Sequence, residues 1–192
     1  MIPMKHTSLY FIKTVDHLNA GAAWIARAAV LLMLAIGFWN VVGRHLGSAL
    51  NLNLSSNGLI EAQWYLFDVV FLLGLGWTLQ KQGHVRVDVL AARWPARLRR
   101  RQEKTSLLLL LLPFAFGVMA ISMLPALHSL TIAEMSPDPG GLPRSWVRCL
   151  IPVGFLLLAL QGVAEWLRLK YSTHLNEPPS SLSSDGSDTS TL

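Results

Sequence analysis

Charge is what this chain has least of. Charged residues make up 14% of its 192 residues, against roughly 25% in an average soluble chain. So little charge cannot cover an ordinary soluble surface. The 52% of hydrophobic residues equally excludes a disordered chain, which needs the opposite balance. Cysteine is almost absent: Cys149 stands alone, so no intrachain disulfide framework can form. The motifs of common chemistry are missing too. There is no Cys-x-x-Cys-His, no His-Glu-x-x-His, no phosphate-binding glycine loop and no nucleophile elbow. The expectation is a protein that is not an enzyme and binds no metal or cofactor.

What is present is long apolar runs. A helix needs about 20 residues to cross the roughly 30 Å hydrocarbon core. Four stretches qualify: 22–42, 59–79, 106–126 and 147–167. The third carries no charge and holds the leucine run Leu107 to Leu112. The second contains Glu61, Gln63 and Asp68, and the fourth Arg148, Gln161 and Glu165. The fold class is therefore all-α, an integral membrane four-helix protein. Residues 1–21 form an N-terminal segment, 22–171 the four-span domain and 172–192 a tail. That tail is rich in Ser, Thr, Pro and Asp, has no Lys or Arg, and reads as disordered. The first span, which follows about twenty residues of mixed polarity, reads as a retained signal anchor. Leu9, Tyr10, Phe11, Val15 and Leu18 in the leading segment suit a short interfacial helix.

Loop charge sets the orientation. The segment from Lys81 to Lys104 carries eight Lys or Arg, both ends included, whereas the loop after span one offers Arg44 and the loop after span three Arg144. Lys5 and Lys13 precede span one, and Arg168 and Lys170 follow span four. The positive-inside rule then puts both termini and the 81–105 loop in the cytoplasm. The net charge of +5 belongs to this pattern rather than to nucleic-acid binding. Trp24, Trp77 and Trp166 fall near the inner ends of spans and Trp39, Trp64 and Trp146 near the outer ends, as interfacial belts require.

The basic loop has a further pattern. Leu90, Trp94 and Leu98 recur at helical spacing, while Arg93, Arg97, Arg100 and Lys104 take the opposite face. This predicts an amphipathic cytoplasmic helix on anionic membrane lipid, kinked at Pro95. His84 and Asp88 sit at its approach, Asp88 as a cap.

Acids within spans need partners. Asp68 lies near the midplane, where an acid costs about 2.5–3.5 kcal/mol on insertion scales. Glu61, seven residues earlier, shares its helix face. Two readings compete: a proton or cation relay, and a polar contact to another helix of this chain or a partner. The contact reading is favoured because few other membrane acids could continue a relay. It predicts that Asp68→Leu impairs complex assembly more than ion dependence. Arg44 ends span one at the level where Glu61 opens span two, so the two are expected to pair, with Asn40 joining them. Trp64 shares this region. Arg144 and the turn-rich loop Met135 to Pro143 are candidates for docking at the outer face. His45 and His128, both near outer ends, leave a bis-histidine haem and a b-type cytochrome anchor as the alternative. Gly74 and Gly76 read as close-packing sites. No internal repeat of the kind that stand-alone transporters carry is visible.

These landmarks together resemble the DctQ-type small membrane subunit of tripartite ATP-independent periplasmic (TRAP) transporters, over about residues 10 to 170. They are Arg44, then Glu61-Ala62-Gln63-Trp64-Tyr65, Leu73-Gly74-Leu75-Gly76-Trp77, His84-Val85-Arg86-Val87-Asp88, and Ile151-Pro152-Val153-Gly154-Phe155. The paired acid usual at the start of span two is here Glu61 followed by Ala62. The resemblance implies uptake of organic anions, often C4-dicarboxylates or other carboxylates such as sialic acid, driven by an ion gradient, usually sodium. It implies two protein partners, a large membrane subunit and a periplasmic substrate-binding protein, and a scaffolding role in the bacterial inner membrane.

Overall fold

The computed structural model describes residues 6–52, 54–81 and 95–174. All of its long elements are helices: α1 His6–Leu50, α2 Asn57–Gln80, α3 Ala96–Ser106, α4 Leu112–Thr131 and α5 Ser145–His174. Four helical stretches are long and apolar enough to cross a membrane: His6–Leu50, Asn57–Gln80, Arg101–Thr131 and Ser145–Tyr171. Each contains or matches one expected span.

Two boundaries differ from expectation. The leading segment is not a separate interfacial helix. From His6 it is continuous with the first span, giving one helix of 45 residues, about 68 Å long at 1.5 Å per residue. The excess length is stabilised by packing: Ile12 and Val15 are buried against Ala164 of α5, with Phe11, Leu160 and Leu167 around them. The basic segment also departs from a free surface helix. Its described part, α3, runs directly into α4 through a π-helical turn at Leu107–Leu111. Pro113 explains the wide turn. It lacks an N–H and its ring crowds the carbonyl four residues back, so the preceding turn expands. No interfacial helix is identified among the described residues. Residues 82–94, with His84, Asp88 and Arg93, and the tail 175–192 lie outside them.

Successive spans alternate in direction, so α2 and α5 run parallel, and α5 is central: it packs against α1, α2 and α4. α2 lies between α1 and α5, with Ala22, Ala26 and Leu73 at their junction and Leu157 and Val69 beside them. Ala115 of α4 meets Leu158 and Ala159 of α5. Burial runs opposite to a soluble bundle. The most apolar span, the one ending in α4, has 6% of its window buried inside the molecule, against 44% for α5. Lipid is the solvent that permits this, since its tails are as apolar as leucine.

α1 and α4 end alike. Asn51 and Ala133 adopt left-handed backbone (φ 53° and 45°). Leu52 N–H reaches back to Gly47 O at 2.9 Å, and Glu134 N–H to Ser129 O at 3.1 Å. These are Schellman closures, and both lie at the end where α2 and α5 begin.

Small residues set the helix separations. A Cβ on Gly154 would stand 2.8 Å from the backbone O of Leu72, and one on Gly76 would collide with the Asn19 side chain. Gly74 meets nothing within 4 Å, so of the two glycines expected to pack closely, Gly76 does and Gly74 does not. Gly154→Val should therefore destabilise the subunit by about 1–3 kcal/mol through forced separation of α2 and α5. Gly74→Ala should be neutral or stabilise it by up to about 1 kcal/mol through helix propensity. Thermal unfolding of the two variants in detergent checks the contrast.

Candidate functional site

Three polar features stand out, one at each end of the bundle and one between them. At the α2/α5 start, the chain leaving α4 folds into a small hairpin cap. Arg144 N–H bonds Glu134 O at 2.9 Å, Ser136 N–H bonds Leu142 O at 3.1 Å, and Met135 bridges Pro143. Asp138 to Gly141 closes the turn at 3.0 Å, with Gly140 at φ +73°, where glycine carries no steric penalty. The cap lies over the first turns of α2, where Asn57 Nδ2 donates to Pro139 O at 3.4 Å.

Glu61 holds the cap. It is buried, 6% exposed, one turn into a helix whose N-cap Ser56 accepts from Leu59 N–H. Its carboxylate accepts from Leu142 N–H at 2.7 Å and from Tyr65 OH at 2.8 Å, and Arg144 Nε lies 3.5 Å away. Tyr65 OH also stands 3.3 Å from Leu142 O. A phenol has one proton, and the shorter, charged acceptor takes it. Trp146 packs edge-on against the Tyr65 ring at 5.5 Å. Arg148 and Glu134 pair at 2.8 Å alongside.

The expected Arg44–Glu61 pair is thus replaced by Arg144–Glu61. Arg44 is exposed, and no ion pair of Arg44 is seen among the described residues. The reason is steric. The face of α1 at that level is Asn40, Gly43 and Gly47, all buried, and the returning loop lies on it. A Cβ on Gly43 would stand 2.8 Å from Leu54 O. Arg44 is one residue, about 100°, off that face. Asn40 is buried without a hydrogen bond to its Oδ1, so it does not join the Glu61 network either.

At the opposite end, α1 and α5 share a charged network. Asn19 Nδ2 donates to Gln161 Oε1 at 2.8 Å, and both residues are fully buried. Gln161 Nε2 faces Asp16 at 3.3 Å and Glu165 at 3.1 Å. Arg168 then bridges Asp16 and Glu165. Ser8 and Tyr171 hydroxyls meet at 3.4 Å beyond it. Sequence reasoning noted Gln161 and Glu165 only as polar interruptions and missed Asp16 and Asn19. The signal was there: Gln161, Glu165 and Arg168 stand at i, i+4 and i+7, one face of a helix. About 35 Å of helix separates Arg144 from Arg168, so the two networks stand one bilayer apart.

Between them is Asp68. It is half-buried, and no hydrogen bond or ion pair of its carboxylate is seen among the described residues. Trp64, one turn earlier, is 68% exposed. Arg27, the cation inside span one, lies over Trp77 at 5.2 Å. His45 and His128 are both exposed on the outside of the bundle, so a haem held between helices does not fit their placement. Among the described residues, no three His, Cys, Asp or Glu cluster as a metal site. Cys149 is partly buried, near Ala126 O. Arg97 and Arg100 fall on the backbone of α3.

Apolar outer surfaces, polar networks at both ends and a capped turn between the last two spans define a multi-pass helical membrane subunit. The family model for the DctQ component of tripartite ATP-independent periplasmic transporters matches residues 33–170. That is most of the chain and all of the cap and α2, and the chain belongs to this family as the small membrane subunit of a TRAP transporter. No curated protein matches it. Its partners are accordingly the other two components of the system, the large membrane subunit and the periplasmic binding protein.

Proposed function

We propose that this subunit is the rigid scaffold that holds the large membrane subunit in the bilayer while an ion gradient, usually sodium, drives uptake of organic carboxylates. The observation that carries this reading is the pair of polar networks at the two ends of α5. Each ties helices distant in sequence, fixing their register at both membrane faces. A mobile element would be expected to lack such locks, since moving segments are drawn from the least-constrained parts of a fold.

The positive-inside distribution supports an inner-membrane orientation with both termini cytoplasmic. The hairpin cap then faces the periplasm, where Arg144 and the turn at Asp138 to Gly141 are near the binding protein. The basic segment with His84, Asp88, Arg93, Arg97 and Arg100 meets the cytoplasmic leaflet. In this reading Glu61 and Arg144 shape the docking surface by holding the cap, and Trp64 and Asp68 face the partner within the membrane. Arg44 is left at the outer rim of α1.

The test is uptake of radiolabelled C4-dicarboxylate and sialic acid by cells with and without this subunit. A tagged subunit is purified in mild detergent in parallel. Co-purification of the large subunit, and loss of uptake on deletion, is the expected result. Unchanged uptake without this chain would overturn the scaffold role.

A further inference from the structure

We propose that the outward face of α2 formed by Trp64, Phe67, Asp68 and Phe71 is the surface that a helix of the large membrane subunit covers. That helix would bring a basic or hydrogen-bond-donating side chain to Asp68. The inference rests on the scaffold reading and names its contact.

The four residues fall within about 100° of one another around the helix. Trp64, Phe67 and Phe71 are 68%, 57% and 54% exposed, and the Phe67 and Phe71 rings stack at 6.4 Å. The stripe begins inside the protein. Leu75 and Leu79, its continuation, pack against the cluster of Ala115, Leu158 and Ala159. From Phe71 towards Trp64 the stripe turns away from these helices and runs out to the surface. It is a core seam left half filled.

Exposed aromatics alone decide nothing here, because Phe38 and Phe114 on other helices are equally open. Asp68 decides it. The other acids in or beside the spans are answered within the chain: Glu61 by Tyr65, Leu142 and Arg144, and Asp16 and Glu165 by Arg168. Asp68 stands one turn from Trp64 and beside Phe67, and its carboxylate is unanswered among the described residues. Lipid tails offer no donor, and an intramembrane acid is retained where it faces a protein or aqueous partner. The exposed faces of α1 and α4 around Leu31 and Leu124 carry no such acid and suit lipid.

The experiment places a photo-crosslinking amino acid at Trp64, Phe67 or Phe71, and as controls at Leu31 or Leu124, in cells expressing all three components. Asp68→Leu, Asp68→Asn and Asp68→Lys are purified in parallel. Adducts with the large subunit from 67 and 71 but not from 31 or 124 are expected. Asp68→Lys should cut the recovered large subunit by at least about tenfold, and Asp68→Asn far less, since an amide still accepts a hydrogen bond. The melting temperature of isolated Asp68→Leu should be unchanged, because no internal partner of the acid is seen among the described residues. A drop in that temperature would overturn the proposal by showing an internal role. So would adducts from Leu31 or Leu124 alone, which would leave the scaffold reading standing with another face. Adducts between two copies of this chain would overturn it in favour of self-association. Failure of the wild-type pair to co-purify would remove the scaffold reading itself.

Discussion

Replacing Glu61 by alanine is expected to lower the melting temperature of the isolated subunit by roughly 5–10 °C, more than any other single change in the cap. The carboxylate has four clients: the Ser136 hydroxyl, Leu142 N–H, Tyr65 OH and the Arg144 guanidinium. Removing it strands the Leu142 N–H, for which no other acceptor is seen among the described residues. It also removes the counter-charge of Arg144. Tyr65→Phe removes one donor and leaves the other three, so its effect should be the smallest. Arg144→Ala should fall between, because the buried carboxylate keeps its three neutral donors. Glu61→Gln tests charge against shape: the amide oxygen can still accept from Leu142, but the amide nitrogen then faces Arg144. A Glu61→Gln/Arg144→Ala double-mutant cycle measures the coupling directly. The readout is fluorescence-detected thermal melting in a single detergent, with recovery of the binding protein on the assembled complex as a second readout. Equal melting temperatures for Glu61→Ala and the wild type would mean that the cap holds its shape without the carboxylate.

The cap was not readable from the sequence as a unit: Glu61 and Arg144 were singled out separately, and Tyr65 and Leu142 were not named as their partners. Hydropathy and loop charge located four spans because each depends on one-dimensional features: about 20 apolar residues, and the count of Lys and Arg between them. Choosing a partner for Glu61 depends on three-dimensional return paths. Arg44 and Arg144 both lie at the same end of the bundle, and the first is nearer in sequence. The loop after α1 folds back on Gly43 and Gly47, occupying the side Arg44 would need. The hairpin after α4 instead carries Arg144 across the top of α2. Likewise, a helix of 45 residues cannot be told from a surface helix followed by a span. Nothing at Gly21 breaks it, and the burial of Ile12 and Val15 against α5 exists only once the fourth span has returned. Asp68 is the opposite case. Its place in the middle of a span-length helix was legible, and the fold adds that no partner for it is seen among the described residues.

The second large effect lies at the other end of α5. Arg168→Ala is expected to destabilise the subunit by about 2–3 kcal/mol, between the roughly 0–1 of an exposed pair and the 3–5 of a buried one. The side chains are intermediate in burial: Arg168 is 34% exposed, Asp16 20% and Glu165 13%. Removing the arginine leaves two carboxylates facing the same Gln161 amide, so the loss includes their mutual repulsion as well as the missing pair. Asp16→Asn should recover part of that loss in the Arg168→Ala background, because it removes one of the two like charges and keeps an oxygen for Gln161 Nε2. A fully apolar replacement has to include Gln161 and Asn19 together with the three charged residues. Gln161 Nε2 donates to Asp16 and Glu165, and its Oε1 is the acceptor for Asn19. Stopping short would leave a buried amide orphaned. With all five positions apolar, the melting temperature should return to the wild-type value or above, as buried ion networks exchanged for hydrophobic contacts often allow. Recovery of the large subunit should nonetheless remain below wild type if the network's role is to fix the register of α1 against α5. Full recovery of both stability and assembly would reduce the network to one way among several of filling the α1–α5 contact, and would leave the cap to hold the register of α5 against α2.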